Sequence, residues 1–207
     1  MDSVTATMQN RRAEQIIQVT REQGIIRPRD LAKYGIPRVY LQRLHESGQL
    51  VRLGRGVYVL AEAEATQFAS YVEACKRVPL GTVCLLSALS FHGLGTQSPH
   101  QIWLAIPDKA YRPRFEYPPL RIVWFSGLPL SEGVEEHQTG DGLVRVYGIA
   151  KTVADCFRYR NKIGLDVALE ALRECRRERR ATLNELWHYA TVDHMSVVMR
   201  PYLEAVS

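Results

Sequence analysis

With 207 residues, 46% of them hydrophobic and 24% charged, the chain has the make-up of an ordinary globular protein with room for one medium domain or two small ones. No apolar run approaches bilayer length, and the N-terminal MDSVTATMQNRRAEQ lacks the charged-then-apolar order of a signal peptide, so a cytoplasmic protein without membrane partners is expected. The formal net charge is +5.

Ala13 to Gln23 reads as a first helix anchored by Ile16, Ile17 and Val19, with the preceding residues expected to fray. Pro28 and Asp30 then open a short helix that Gly35 ends. Ile36-Pro37 starts a second helix, because proline suits a first helical turn and biases the residue before it away from helix. Ser47-Gly48 is its C-terminal stop. Two β-rich runs follow, Leu50 to Leu53 and Val57 to Leu60, joined by Gly54-Arg55-Gly56 as a hairpin. Helix, turn, helix and hairpin in this order predict a winged helix-turn-helix over residues 1–60.

The charge supports a DNA-binding role for this element. Between Arg27 and Arg55 stand seven basic residues (Arg27, Arg29, Lys33, Arg38, Arg43, Arg52, Arg55) against Asp30 and Glu46. That excess equals the net charge of the whole chain, so the remainder is balanced. Positive charge gathered on one small element is the footprint of phosphate binding. At about 100° per residue, Tyr40, Leu41 and Leu44 share one face of the second helix with Pro37 between them. Arg38, Val39, Gln42, Arg43 and Glu46 fall on the opposite face. Arginine and glutamine have the geometry for bidentate contacts to guanine and adenine edges, and valine can meet a thymine methyl. Singly, each is as well explained as a solvated surface residue; the face as a whole, with a wing beside it, points to DNA. Arg55 at the wing tip is assigned to the backbone or minor groove. Arg29, Lys33 and Arg52 complete the expected DNA-binding set.

After the wing, Ala63 to Arg77 reads as one amphipathic helix opening a second domain, residues 61–207. Thr82 to Leu94 is apolar nearly all round and predicts a buried helix. Three β-rich segments follow, at Gln101 to Ile106, Arg121 to Phe125 and Leu143 to Tyr147, separated by proline- and glycine-rich stretches. From Ala150 the pattern is helical: Ala150 to Tyr159, Asp166 to Arg180, a helix capped by Thr182 with Glu185, and Ser196 to Ala205. The fold class is therefore α+β, a winged helix-turn-helix followed by a mixed α/β domain with a small sheet and several helices.

The chemistry-bearing residues give no catalytic set. Cys75, Cys84, Cys156 and Cys175 form no C-x-x-C pair and read as reduced, buried thiols, and the histidines show no metal-ligand spacing with them. Ser87, Ser90 and His92 lie close in sequence, but no nucleophile-elbow glycines flank the serines. Pro107-Asp108-Lys109 ends a strand as a nuclease site would, yet Glu116-Tyr117-Pro118 and Glu135-Glu136-His137 supply no matching second carboxylate and lysine. Asp155 lies in an otherwise apolar helix and is expected to be partly buried and paired with an arginine such as Arg158 or Arg160. Arg173, Arg176, Arg177, Arg179 and Arg180 alternate with Glu170, Glu174 and Glu178 as a solvated, self-paired face. No catalytic residue, metal or cofactor is assigned.

LVRLGRGVYVL, then VCLLSALSFHGLGTQSPHQIWLAIP, then VYGIAKTVADCFRYRNKIGLDVALEALR resemble the AbiEi antitoxins of type IV toxin–antitoxin systems, from about Glu14 to about Arg180. The most specific parts are Leu50 to Leu60, Leu86-Ser87-Ala88-Leu89 with His92-Gly93-Leu94, and Lys151-Thr152-Val153-Ala154-Asp155. Lys151 departs from the arginine expected before the threonine. The resemblance implies an N-terminal domain that binds its own operon's promoter, usually at inverted repeats, as an autorepressor. It also implies a C-terminal domain that counters a nucleotidyltransferase toxin without forming a stable complex with it. The residues alone leave two alternatives: a stand-alone regulator whose C-terminal domain senses a ligand or mediates oligomerisation, and a DNA-modifying or nucleotide-handling enzyme targeted by the winged helix.

Overall fold

The structure, a computed structural model, describes residues 2–54, 56–61, 68–114 and 118–206. The chain divides into two units, residues 1–73 with 138–144 and residues 74–137 with 145–207.

The first unit opens with helix α1, Asp2–Gln23, which runs well ahead of the expected start at Ala13, so the preceding residues are helical rather than frayed. Ile16 and Val19 are buried and Ile17 packs partly against them, as their spacing requires. Asp30–Tyr34 is a single turn of 3-10 helix, too short to close α-helical hydrogen bonds through its length. It begins where the Asp30 carboxylate accepts the Arg27 backbone N–H at 3.0 Å, and it ends at Gly35, whose φ of 62° suits a residue without Cβ. Helix α2 is Val39–Glu46 and is followed by Gly48 at φ 75°. Strands β1, Leu50–Gly54, and β2, Val57–Leu60, pair antiparallel, with Leu50 opposite Leu60 and an irregularity between Arg52 and Gly54. Ile16, Val19, Ile26, Leu31, Ile36, Tyr40, Leu41, Leu44 and Leu50 close one core, so α1, the 3-10 turn, α2 and the hairpin hold a common arrangement. This is the element order of a winged helix-turn-helix.

Helix α3 is Ala69–Arg77; the first part of the helix expected from Ala63 lies outside the described residues. The apolar run from Thr82 proves to be two elements. Thr82–Val83 forms β3 in the middle of a sheet, and only Leu85–His92 is helical, as α4. Continuous hydrophobicity is what both a central strand and a buried helix need, and it does not separate them. Strands β4, Ile102–Pro107, and β5, Leu120–Phe125, lie close to their expected bounds. A short helix α5, Leu128–Ser131, precedes β6, Val134–Thr139, and β7, Gly142–Tyr147. The sheet order is β5-β4-β3-β7-β6, with β3 antiparallel to β4 and parallel to β7, and β4 parallel to β5. β6, with sequence VEEHQT, escapes a hydrophobicity reading because it is a polar strand at the sheet edge.

The remaining helices are α6, Ile149–Arg158; α7, Arg160–Ile163; α8, Leu165–Arg177; α9, Leu183–Val192; and α10, Ser196–Ala205. Both halves of the capping box between Thr182 and Glu185 are formed at the start of α9. A core of Leu85, Leu89, Phe125, Tyr147, Val153, Phe157, Leu172, Leu186, Met199 and Leu203, among others, joins the sheet to α4, α6, α8, α9 and α10. All four cysteines are free and buried, and burial pushes their thiols up from the ordinary range.

Candidate nucleic-acid interface

The amphipathic split of α2 is carried out by the fold. Tyr40, Leu41 and Leu44 are buried, while Arg38, Val39, Gln42, Arg43 and Glu46 are exposed. Pro37 does not lie on the core face as the helical wheel suggested; it is exposed, and buried Ile36 takes that place. The reason is that the regular helix begins only at Val39, so extrapolating its 100° step back to Pro37 fails. Val39 is 44% exposed, unusual for a β-branched residue with a core next to it, and it stands in the first turn beside Arg38. Gln42 Nε2 donates to Glu46 Oε1 at 2.9 Å, one turn on, which orients the amide along the helix surface. The second amide hydrogen and the amide oxygen remain to meet a ligand.

Around this face, Arg29, Lys33 and Arg52 are all exposed, on the 3-10 turn and on β1. Arg29 has Asp30 as a distant neighbour, Nε to Oδ1 3.9 Å, with the arginine side chain 60% exposed. Arg55 lies outside the described residues, as do Glu116 and Tyr117. Arg27 counted toward the basic excess in the sequence, but within the first unit it is buried and donates to Glu73 Oε2 at 2.9 Å. It is an internal ion pair and offers no charge to the surface. Another cation is present that the sequence reading did not include: Arg12 of α1, exposed, donates from Nη1 to Tyr40 Oη at 3.5 Å. Its signal in the sequence was the Arg11-Arg12 pair, hidden by the expectation that these residues precede the first helix.

The second unit contains a buried charge cluster. Lys151 Nζ lies 2.5 Å from Asp155 Oδ1 and 3.0 Å from Asp193 Oδ1, with no solvent exposure of the three side chains. Asp155 is therefore fully buried, and its partner is Lys151 rather than Arg158 or Arg160. Arg158 faces Asp193 at 3.7 Å, while Arg160 donates to the Phe157 carbonyl at 2.9 Å. Lys151 and Asp155 stand one turn apart with both side chains buried, whereas Arg158 is partly exposed and is directed to Asp193. The lysine also stands over the rings of Phe125 and Tyr147, 5.2 and 4.7 Å from their centroids.

The serine–histidine candidates are engaged separately. Ser87 Oγ accepts the Trp103 N–H at 2.9 Å, Ser90 is exposed, and His92 Nε2–H donates to the Tyr147 carbonyl at 2.8 Å. Burial lowers the His92 pKa, the hydrogen bond to Tyr147 opposing it only in part. Asp108 belongs to a turn: its N–H reaches the Phe125 carbonyl and Ala110 N–H reaches Pro107, both at 2.9 Å. A cavity of about 260 Å³ is lined by His92, Glu135, His137, Arg180, Glu185 and Tyr189 beside the first turn of α6. Glu135 approaches so closely there that a Cβ on Gly148 would fall 2.3 Å from its Oε1. At the charged end of α8, Arg177 pairs with Glu174 at the expected helical spacing, while Glu178, just past the helix, pairs with its sequence neighbours Arg177 and Arg180. Among the described residues no group of histidine, cysteine and carboxylate side chains is arranged to hold a metal. None of their helices is long and apolar enough to cross a membrane.

The first unit is thus a helix-turn-helix arrangement with a basic exposed helix face, and the second is a mixed α/β unit. Residues 14–61 match the family model described as "Transcriptional regulator, AbiEi antitoxin", so the N-terminal region is similar to that family. No curated protein matches the sequence. Among solved structures, the chain is similar to the RV2827C protein from Mycobacterium tuberculosis, with a TM-score of 0.58 at 13% identity, covering 87% of this chain and 71% of the other. At that identity the likeness is one of fold.

Proposed function

We propose that this protein is a DNA-binding antitoxin that represses its own operon, with α2 reading the promoter, and that the second unit counters a nucleotidyltransferase toxin. The observation that carries the DNA reading is the exposed face Arg38, Val39, Gln42, Arg43 on a helix whose other face is locked into the core by Tyr40, Leu41 and Leu44. A reading helix needs rigid backing and free hydrogen-bonding side chains, and α2 has both. Arg29, Lys33 and Arg52, with Arg55 from the wing, supply the phosphate contacts in this reading. Inverted repeats in the promoter are its expected target, and its chemistry is binding rather than catalysis, in the cytoplasm. The toxin half of the proposal rests on the family match of residues 14–61 and on the motifs around His92 and Lys151.

The test is binding of the full chain to the duplex upstream of its own gene, followed by fluorescence anisotropy against a shuffled duplex, with a promoter reporter in cells. Specific binding and repression are expected, together with rescue of cells that express the adjacent nucleotidyltransferase. Equal affinity for both duplexes would remove the operator reading, and failure of rescue would remove the antitoxin one. The cavity lined by His92, Glu135, His137 and Arg180 favours a second reading, a regulator whose C-terminal unit senses a small polar ligand. A metabolite that changes operator affinity would favour it over the first.

A further inference from the structure

We infer that Arg12 and Arg43 together clamp one phosphate of the DNA backbone, with Tyr40 as the platform that positions both guanidinium groups. The inference rests on the DNA-binding reading above and extends it to a residue of α1.

Arg12 and Arg43 come from different helices and converge on one ring. Their guanidinium carbons lie 5.8 and 5.5 Å from the Tyr40 centroid, and Arg12 also donates to the Tyr40 hydroxyl at 3.5 Å. Tyr40 is itself 8% exposed and part of the core, so the platform does not move with the arginines. Both arginines are exposed, and among the described residues neither has a carboxylate partner. This contrasts with Lys151, Arg158, Arg177 and Arg180 of the second unit, each set against an acid. Two like charges gathered at one ring without an anion are relieved when an anion enters between them. Their planar forks suit the two free oxygens of a phosphodiester, and stacking on the ring reduces the rotamer freedom lost on binding. Arg43 then orients the protein on the backbone, and base reading falls to Arg38, Val39 and Gln42.

The experiment measures the salt dependence of binding of the full chain to the upstream duplex and to a shuffled one, for wild type, Arg12→Ala, Arg43→Ala and the double variant. Each single variant is expected to weaken both duplexes by the same factor. The double variant is expected to flatten the plot of log affinity against log salt by about 0.9, one phosphate's worth of released counterions. A flattening of about 1.8 would mean two separate phosphates and would overturn the clamp. So would an unchanged Arg12→Ala, or an Arg43→Ala loss confined to the upstream duplex. Tyr40→Phe keeps the packed ring and removes the hydroxyl, and it is expected to give a smaller loss than Arg12→Ala. A wild-type protein that binds neither duplex would instead sink the DNA-binding reading itself.

Discussion

Lys151 and Asp155 stand one helical turn apart on α6, joined at 2.5 Å with both side chains closed off from water. Asp193, just past α9, accepts from the same lysine at 3.0 Å, so one cation fastens α6 to the end of α9. Removing one member of a buried ion cluster leaves uncompensated charge, at a cost of about 3–5 kcal/mol. Lys151→Met is expected to lose that much stability in urea denaturation, because two carboxylates remain buried. A loss under about 1 kcal/mol would mean the cluster contributes little net stability.

His92 predicts a pH dependence. Burial holds its folded pKa below the ordinary value of 6.5, and the unfolded chain therefore takes up the proton first as pH falls. Its contribution to stability is present above about 6.5 and is lost as pH falls through the folded pKa. His92→Gln retains an N–H donor for the Tyr147 carbonyl but does not titrate. Its stability is expected to fall less than that of wild type between about pH 7 and 5. Parallel curves for the two proteins would assign the acid sensitivity to other groups.

Gln42 tests whether α2 reads sequence. Gln42→Ala is expected to cost about 1–3 kcal/mol on the upstream duplex and much less on shuffled DNA. If the two losses match, Gln42 contacts only the backbone.

Arg55 stands in the sequence between Gly54, the last residue of β1, and Gly56, which precedes β2. Arg55→Ala is expected to weaken binding to both duplexes and to flatten the salt dependence by about one unit of slope. An unchanged slope would show that this residue does not meet a phosphate.

DNA binding and toxin rescue are expected to separate by residue. The full-length Arg38→Ala, Gln42→Ala double variant leaves the buried face of α2 untouched and should lose repression while keeping rescue. Loss of rescue by a folded variant, judged by circular dichroism and melting, would place part of the neutralising surface on α2.

What the sequence determined by itself is the set of local signals. Gly35 and Gly48 end the helical turns of the first unit because they adopt left-handed backbone angles, and Thr182 with Glu185 starts α9 because one side chain of each meets the other's N–H. The spacing of Tyr40, Leu41 and Leu44 likewise set which face of α2 is buried, since a helix repeats every 3.6 residues. Tertiary structure decided what local pattern leaves degenerate. Thr82-Val83 became a strand because β4 and β7 flank it, while Leu85 onward remained helix. Polar β6 became an edge strand by pairing, against its own composition. Charge was the least legible property. Arg27 and Arg43 are both arginines in one basic stretch, yet Glu73 takes the first into the interior and Tyr40 holds the second at the surface. Tyr40 is less than one helical turn from Arg43, but Glu73 stands 46 residues from Arg27, a separation that only folding closes, and the availability of a charge depends on its partner.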